Sequence, residues 1–278
     1  MDPKDKAKEK FKKLFKEFLR KQNLLDKIQD EDGNWTIKGF IDIYKKVYEI
    51  NTDTKLISKI LEIQILPFIF QFGKIYNYEI ELPRSQNIYP DFTLIDLELN
   101  QKIALDLKTT YKDGGKPKGF TLGSHGTYFK DRNSTKNIMY PYKEYAGHFI
   151  LGLIYERVEK NEKNIKVYSI KELKEIISSI KNIEVFLCEK WQIASDKQGS
   201  SNTANIGSIK DLEKLKNCQG IFTIFGKEGE EIFDDYWINY GIINPKTGKK
   251  ITSLDDFLEY KNRKDLVKLL KDYFRRTR

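Results

Sequence analysis

The segment Ile103-Ala104-Leu105-Asp106-Leu107-Lys108 does most to limit what this chain can fold into. Strict alternation marks a strand, because successive side chains leave it on opposite sides. Ile103, Leu105 and Leu107 therefore point one way. Ala104, Asp106 and Lys108 point the other way, and Ala104 is too small to crowd the two charges. Residues 91–97 predict a second strand, with residues 98–101 as the turn between the two. Paired as a hairpin, these strands set the Asp91 of Tyr89-Pro90-Asp91 close to Asp106. Two carboxylates and one ammonium then share a small volume, which suits phosphodiester hydrolysis. Carboxylate oxygens take Mg²⁺, which neutralises developing charge and lowers the pKa of bound water. A lysine alongside can stabilise the transition state. The pattern D-x-K alone arises often by chance; the upstream P-D and the apolar alternation make it informative.

Glu62 is a further candidate. It is the only acidic residue between Lys55 and Glu79 and stands among Ile57, Ile60, Leu61, Ile63, Ile65 and Leu66. A carboxylate buried there would need a partner or a metal, whereas one on the polar edge of the helix would need neither. With two cysteines and two histidines in 278 residues, a disulfide framework and a zinc site of four such ligands are excluded. Any metal is then a hard one held by carboxylates. His148 reads as a satisfied helix residue and His125 as a solvated turn residue. The formal charge of +9 suits a polyanion such as nucleic acid or an anionic membrane. No run approaches the ~18 consecutive apolar residues of a membrane span, and the lysine-rich start lacks the form of a secretory signal. These features point to a soluble intracellular protein.

Along the chain, Phe11, Leu14, Phe15, Phe18 and Leu19 make residues 4–21 a basic amphipathic helix. A helix docked by one apolar stripe is the plainer reading of it, an arm for DNA or a membrane surface the other. Residues 35–48 show no clean period. Asn51-Thr52-Asp53-Thr54 offers N-caps for a helix over 55–76, which Pro67 should kink or interrupt. Residues 78–82 predict a strand, 112–118 a glycine-rich basic loop, 141–157 and 170–180 helices, and 184–191 a strand. A polar glycine- and serine-rich stretch follows at 196–208, and the tail from Lys261 is basic. The fold class is α/β, a mixed sheet flanked by helices.

Six segments in order carry a resemblance: QNIYPDFTL (86–94), KIALDLKTTY (102–111), FTLGSHGTYF (120–129), NSTKNIMYPYKEYAGHFILGLIYERV (133–158), VFLCEKWQIASD (185–196) and GSSNTANIGSI (199–209). Together they resemble the EcoRV-type type II restriction endonucleases of the PD-(D/E)xK nuclease superfamily, over residues 54–209. The resemblance implies a restriction-endonuclease-like core within a single catalytic and DNA-binding domain over 1–278, with a basic helical extension at 1–24 and a basic region at 210–278. It implies Asp91 and Asp106 as Mg²⁺ ligands (Mn²⁺ as a substitute), Lys108 as the catalytic lysine, and Glu62 as an additional catalytic and metal-binding acid.

The same resemblance makes the loop of Gly199, Ser200, Ser201, Asn202, Thr203 and Asn205 the major-groove reader, and Ser85, Gln86 and Asn87 the minor-groove loop. Asn202 can bond bidentately to adenine, and the Thr203 methyl can meet a thymine methyl. Ser201 stands where the family has glycine. Thr110, Tyr111, Lys136 and Arg157 are candidate phosphate contacts, which position rather than specify. The family is homodimeric, cuts and bends palindromic double-stranded DNA, and leaves 5′-phosphate ends; the implied target is GATATC or a near relative. A cognate DNA methyltransferase in the host and a prokaryotic cytoplasm belong to the same expectation, with no membrane. A structure-selective or repair nuclease on this core, and a non-catalytic DNA-binding module, are the alternatives.

Overall fold

The expected hairpin forms, and a mixed sheet extends on either side of it. The structure is a computed structural model and describes residues 2–159, 166–199 and 204–276. The helices are α1 (Pro3–Gln22), α2 (Leu24–Ile28), α3 (Thr54–Tyr76), α4 (Thr127–Lys130), α5 (Lys190–Ile193), α6 (Leu212–Lys216), α7 (Gly229–Asn239), α8 (Leu254–Tyr260) and α9 (Lys264–Arg276). The strands are β1 (Gly39–Ile41), β2 (Lys46–Glu49), β3 (Tyr78–Glu81), β4 (Phe92–Asp96), β5 (Gln101–Asp113), β6 (Lys116–Pro117), β7 (Thr121–Ser124), β8 (Tyr145–Arg157), β9 (Val167–Ser169), β10 (Ile180–Glu189), β11 (Ala194–Gln198) and β12 (Asn205–Ser208). The main sheet runs β10-β8-β5-β4-β3, with β6 folded back on the end of β5. Only the β5–β8 pairing in it is parallel. Smaller sheets, β1-β2-β9 and β11-β12-β7, flank it.

The alternation read in β5 separates two cores. Ile103, Leu105 and Leu107 pack with α1 and α3, whereas Ala104 joins the cluster that holds α7 and α8. Helix α1 starts where Asp2 accepts a hydrogen bond from Lys4 N and Pro3 takes the first position, and it ends at Asn23 in the left-handed region. Its Ala7, Phe11, Phe15 and Phe18 are buried, so it is a docked helix and not a free arm. Phe11 meets Phe149 of β8 edge-on at 4.8 Å and Phe72 of α3 at 5.7 Å. Phe11→Ala should therefore lower unfolding free energy by about 3–5 kcal/mol, read as a reduced urea midpoint. A change under about 1 kcal/mol would mean that α1 is dispensable to the core.

Helix α3 starts at Asp53, whose Oδ1 accepts from Lys55 N and Leu56 N. It runs unbroken through Pro67, so the expected interruption is absent; buried neighbours such as Ile60, Phe68 and Phe72 hold it against the sheet. It is long and apolar enough to span a membrane by length and composition, yet it serves as a core helix here.

Other expectations are corrected. Residues 141–157 are not a helix but a single 3-10 turn at Tyr142–Glu144 followed by β8. This strand is buried on both faces, so its apolar run has no period of two that would separate it from a helix. Gly152 in it admits the Phe186 ring of β10: an added Cβ would lie 2.2 Å from Phe186 Cζ. Residues 170–180 form a short 3-10 helix, Ile170–Glu175, and β10 already begins at Ile180. Residues 35–48 contain the β1–β2 hairpin. The two cysteines form one bridge, Cys188 on β10 to Cys218 after α6, which is no disulfide framework.

Candidate active site

The register of the hairpin places the chemistry. Phe92 pairs with Leu105, so Asp91 stands opposite Asp106 at the mouth of the pair. Asp91 Oδ2 accepts from Leu107 N at 2.8 Å, and Asp91 N donates to Asp106 Oδ1 at 3.4 Å. Asp106 is buried, and its Oδ2 is ion-paired with Lys108 Nζ. Burial and the charge of Asp106 push the Asp91 pKa up to about 7 against the pull of Lys108. Burial opposes the Lys108 ammonium, but Asp106 and Asp91 outweigh it and raise its pKa above the ordinary lysine value. Two carboxylates held by one lysine are thus short of positive charge.

That shortage is what a divalent cation would relieve. The donors are hard carboxylate oxygens, which suit Mg²⁺ with its remaining positions taken by water and phosphate. Among the described residues no three His, Cys, Asp or Glu side chains converge as a closed metal cage.

Glu62 departs from the buried reading. It is half-exposed and ion-paired with Lys59 at 2.7 Å. The helical period explains this: Lys55, Ser58, Lys59 and Glu62 share the face of α3 that lines a groove. It does look toward Asp91 across a common groove. One part of the groove, about 750 Å³, is lined by Glu62, Asp91, Lys108, Lys118, Lys197 and Lys210 among others. The adjoining part, about 840 Å³, has Lys55, Lys59, Arg84 and Gln86 on its walls, and shares Ser58, Glu62, Asp91 and Thr109 with the first. The carboxylates therefore sit in a groove with basic walls.

Of the remaining candidates, Ser85, Gln86, Thr110, Tyr111 and Gly199 line this groove, whereas Arg157 and Lys136 do not. Ser85 and Gln86 line one wall, with Asn87 exposed beside them. Gly199 lines the other, and its N donates to Asn205 O at 2.9 Å. Ser200, Ser201, Asn202 and Thr203 lie outside the described residues. Thr110 and Tyr111 line the groove beyond Asp91. Arg157 is exposed and stacks its guanidinium 3.8 Å over the Tyr111 ring. Lys136 is exposed on the turn leading to Ile138, which bridges to Tyr89. His148 is half-buried in β8, not in a helix; desolvation depresses its pKa, and its Nδ1 pairs with Tyr89 OH at 2.9 Å. His125 is buried against Trp237 and is not a solvated turn residue.

The sequence reading passed over Lys190, a fully buried lysine within electrostatic reach of Asp106. Its place in a short K-W step after a strand carries no signal of burial.

Residues 31–262 match the family model described as restriction endonuclease EcoRV. The type II restriction enzyme EcoRV of Escherichia coli is 40% identical over 253 residues, which cover 88% of this chain and 99% of that protein. Among solved structures, the NlaIV restriction endonuclease aligns over 86% of this chain and 95% of its own, at 12% identity and a TM-score of 0.37.

Proposed function

As a member of the EcoRV family of type II restriction endonucleases, the chain is a site-specific nuclease acting on DNA, and we propose that it hydrolyses palindromic duplex DNA with Mg²⁺ held by Asp91 and Asp106. The observation that carries this reading is the Asp91–Asp106–Lys108 cluster, of which Asp91 and Lys108 line a groove with basic walls. The bound cation, Mg²⁺ or Mn²⁺ in its stead, would neutralise charge on the scissile phosphate and acidify water. Lys108, held protonated by its two carboxylate neighbours, faces the phosphate and stabilises the negative charge that grows there. Attack in line leaves 5′-phosphate and 3′-hydroxyl ends. Glu62 supplies a third acidic group across the groove once Lys59 releases it. The loop from Gly199 to Asn205 reads the major groove and Gln86 with Asn87 the minor; Thr110, Tyr111, Lys136 and Arg157 hold phosphates.

The target is GATATC or a near relative, with Ser201 as the residue that would alter it. The protein works in the bacterial cytoplasm beside a methyltransferase that protects the host sites. Digestion of phage DNA with Mg²⁺, with and without EDTA, followed by sequencing of fragment ends, tests all of this. Discrete ends at one palindrome are expected. Random nicking would favour a repair nuclease instead.

A palindrome calls for two copies related by a two-fold axis. The support for a homodimer is the apolar surface of the β1-β2-β9 sheet and the segment after it. Ile43 is 88% exposed and Tyr44 77%, with Ile41, Val167, Leu173 and Ile177 also open to solvent. Large apolar side chains left open on one small sheet suit an interface. Ile43→Asp with Tyr44→Asp should turn a sedimenting dimer into a monomer and stop double-strand cleavage. A dimer of unchanged affinity would move the interface elsewhere.

A further inference from the structure

Gln198 ends β11 and is exposed on the wall of the groove that Asp91 and Lys108 also line. Its side chain does not hang free. The amide Nε2 lies 3.4 Å from Nε2 of His125, whose ring is buried. An amide nitrogen only donates, so the ring Nε2 accepts and the imidazole carries its proton on Nδ1. Burial depresses the His125 pKa, which keeps that acceptor available.

His125 is itself fixed from several sides. Its backbone N donates to Ala204 O at 2.8 Å, and Ser124 beside it pairs with Asn205 of β12. Its ring lies 5.1 Å from both Trp237 and Tyr240, which stack on each other at 4.8 Å. Tyr236 of α7 donates from its hydroxyl to Asp196 O at 2.6 Å and ties β11 to the same layer. An exposed glutamine ordinarily keeps rotamer freedom that it must lose to make a contact. Here the fold has already restricted it. Of the two amide N–H groups, His125 takes one. The other, with Oε1 beside it, is the donor and acceptor pair that meets N7 and N6 of adenine. Gly199 follows directly, so the amide stands at the root of the 199–205 loop.

We propose that Gln198 is a further specificity-determining residue, its amide aimed by the positioning residue His125 to read an adenine beside the contacts of the 199–205 loop. This rests on the reading of that loop as the DNA reader.

The test is single-turnover cleavage of duplexes in which each base pair of the palindrome found at the fragment ends, and of its immediate flanks, is changed in turn. Discrimination is the ratio of rates on the unaltered and altered duplexes. The variants are Gln198→Ala, His125→Phe, His125→Leu, Gln198→Ala combined with His125→Phe, and Asn202→Ala. Phenylalanine keeps a ring against Trp237 and Tyr240 and removes the acceptor; circular dichroism melts check that each variant folds. Gln198→Ala should lose on the order of tenfold in discrimination at one A·T pair and keep it elsewhere. The His125 variants should lose it at the same pair. The double variant should lose no more than Gln198→Ala alone, because both act through one contact. Undiminished discrimination by Gln198→Ala at every pair overturns the inference, as does a loss by the His125 variants spread over all positions. Failure of both His125 variants to fold also overturns it, since the ring would then hold the core rather than aim an amide. Asn202→Ala should lose discrimination at a different pair. If it and Gln198→Ala both leave discrimination intact, the loop is not the reader. If only Gln198→Ala does, the reading of the loop stands and this inference alone falls.

Discussion

Asp106→Ala should fold, bind cognate DNA and cleave it slower by on the order of a thousandfold or more, since it removes the proposed cation ligand and the partner of Lys108 together. Lys108→Ala should fall comparably. Both side chains lie on the face of β5 opposite Ile103, Leu105 and Leu107 and leave that core intact; Asp106 is buried on its own face, so circular dichroism melts check that each variant folds. The measurement is single-turnover cleavage of a labelled duplex at saturating protein and Mg²⁺. Cleavage by Asp106→Ala within tenfold of wild type would sink the mechanism.

The same variant has a signature in stability. Asp91 titrates near 7 in the folded protein, above its unfolded value, so it takes up a proton on folding. The stabilisation this gives in metal-free protein is fully present below the unfolded pKa and is lost as pH rises through about 7. Asp106→Ala removes the repelling charge, so its melting temperature should decline less between pH 5 and 8 than that of wild type.

The hairpin of β4 and β5 was legible because its information is local. Alternation set the faces of β5, and a short turn set the register that brings Asp91 to Asp106. The strand β8 was hidden for the opposite reason. Sandwiched between two cores, it has nearly continuous burial, and its pattern does not tell strand from helix. Glu62 was misplaced because an apolar neighbourhood in sequence is not one in space: at 3.6 residues per turn it shares a face with Ser58 and Lys59, not with Leu61. Lys190 and the Cys188–Cys218 bond depend on contacts between segments distant in the chain, and no local pattern announces either. The lysines of α1 show a further limit. Composition marks them only as basic, whereas Lys8, Lys10 and Lys12 bind Glu230, Asp96 and Glu189 within the fold.

The second large effect separates reading from holding. Asn202 is assigned to a base edge and Lys136 to a phosphate, so their alanine variants should fail in different ways. Loss of one bidentate base contact costs ~1–3 kcal/mol of discrimination at a single base pair. Cognate cleavage by Asn202→Ala should drop steeply while binding to random duplex barely changes. Lys136→Ala should weaken cognate and random binding alike, and the slope of log K against log salt should shrink by about one unit. Ser201→Gly adds a third arm, because a methylene and a hydroxyl at that position either touch bases or do not. If the glycine variant cuts the same site at the same rate, the serine is neutral to specificity. Affinities measured across a salt series for cognate and random duplexes decide among these. Equal weakening of both duplexes by Asn202→Ala would mean that base edges are read from another segment than the loop between β11 and β12.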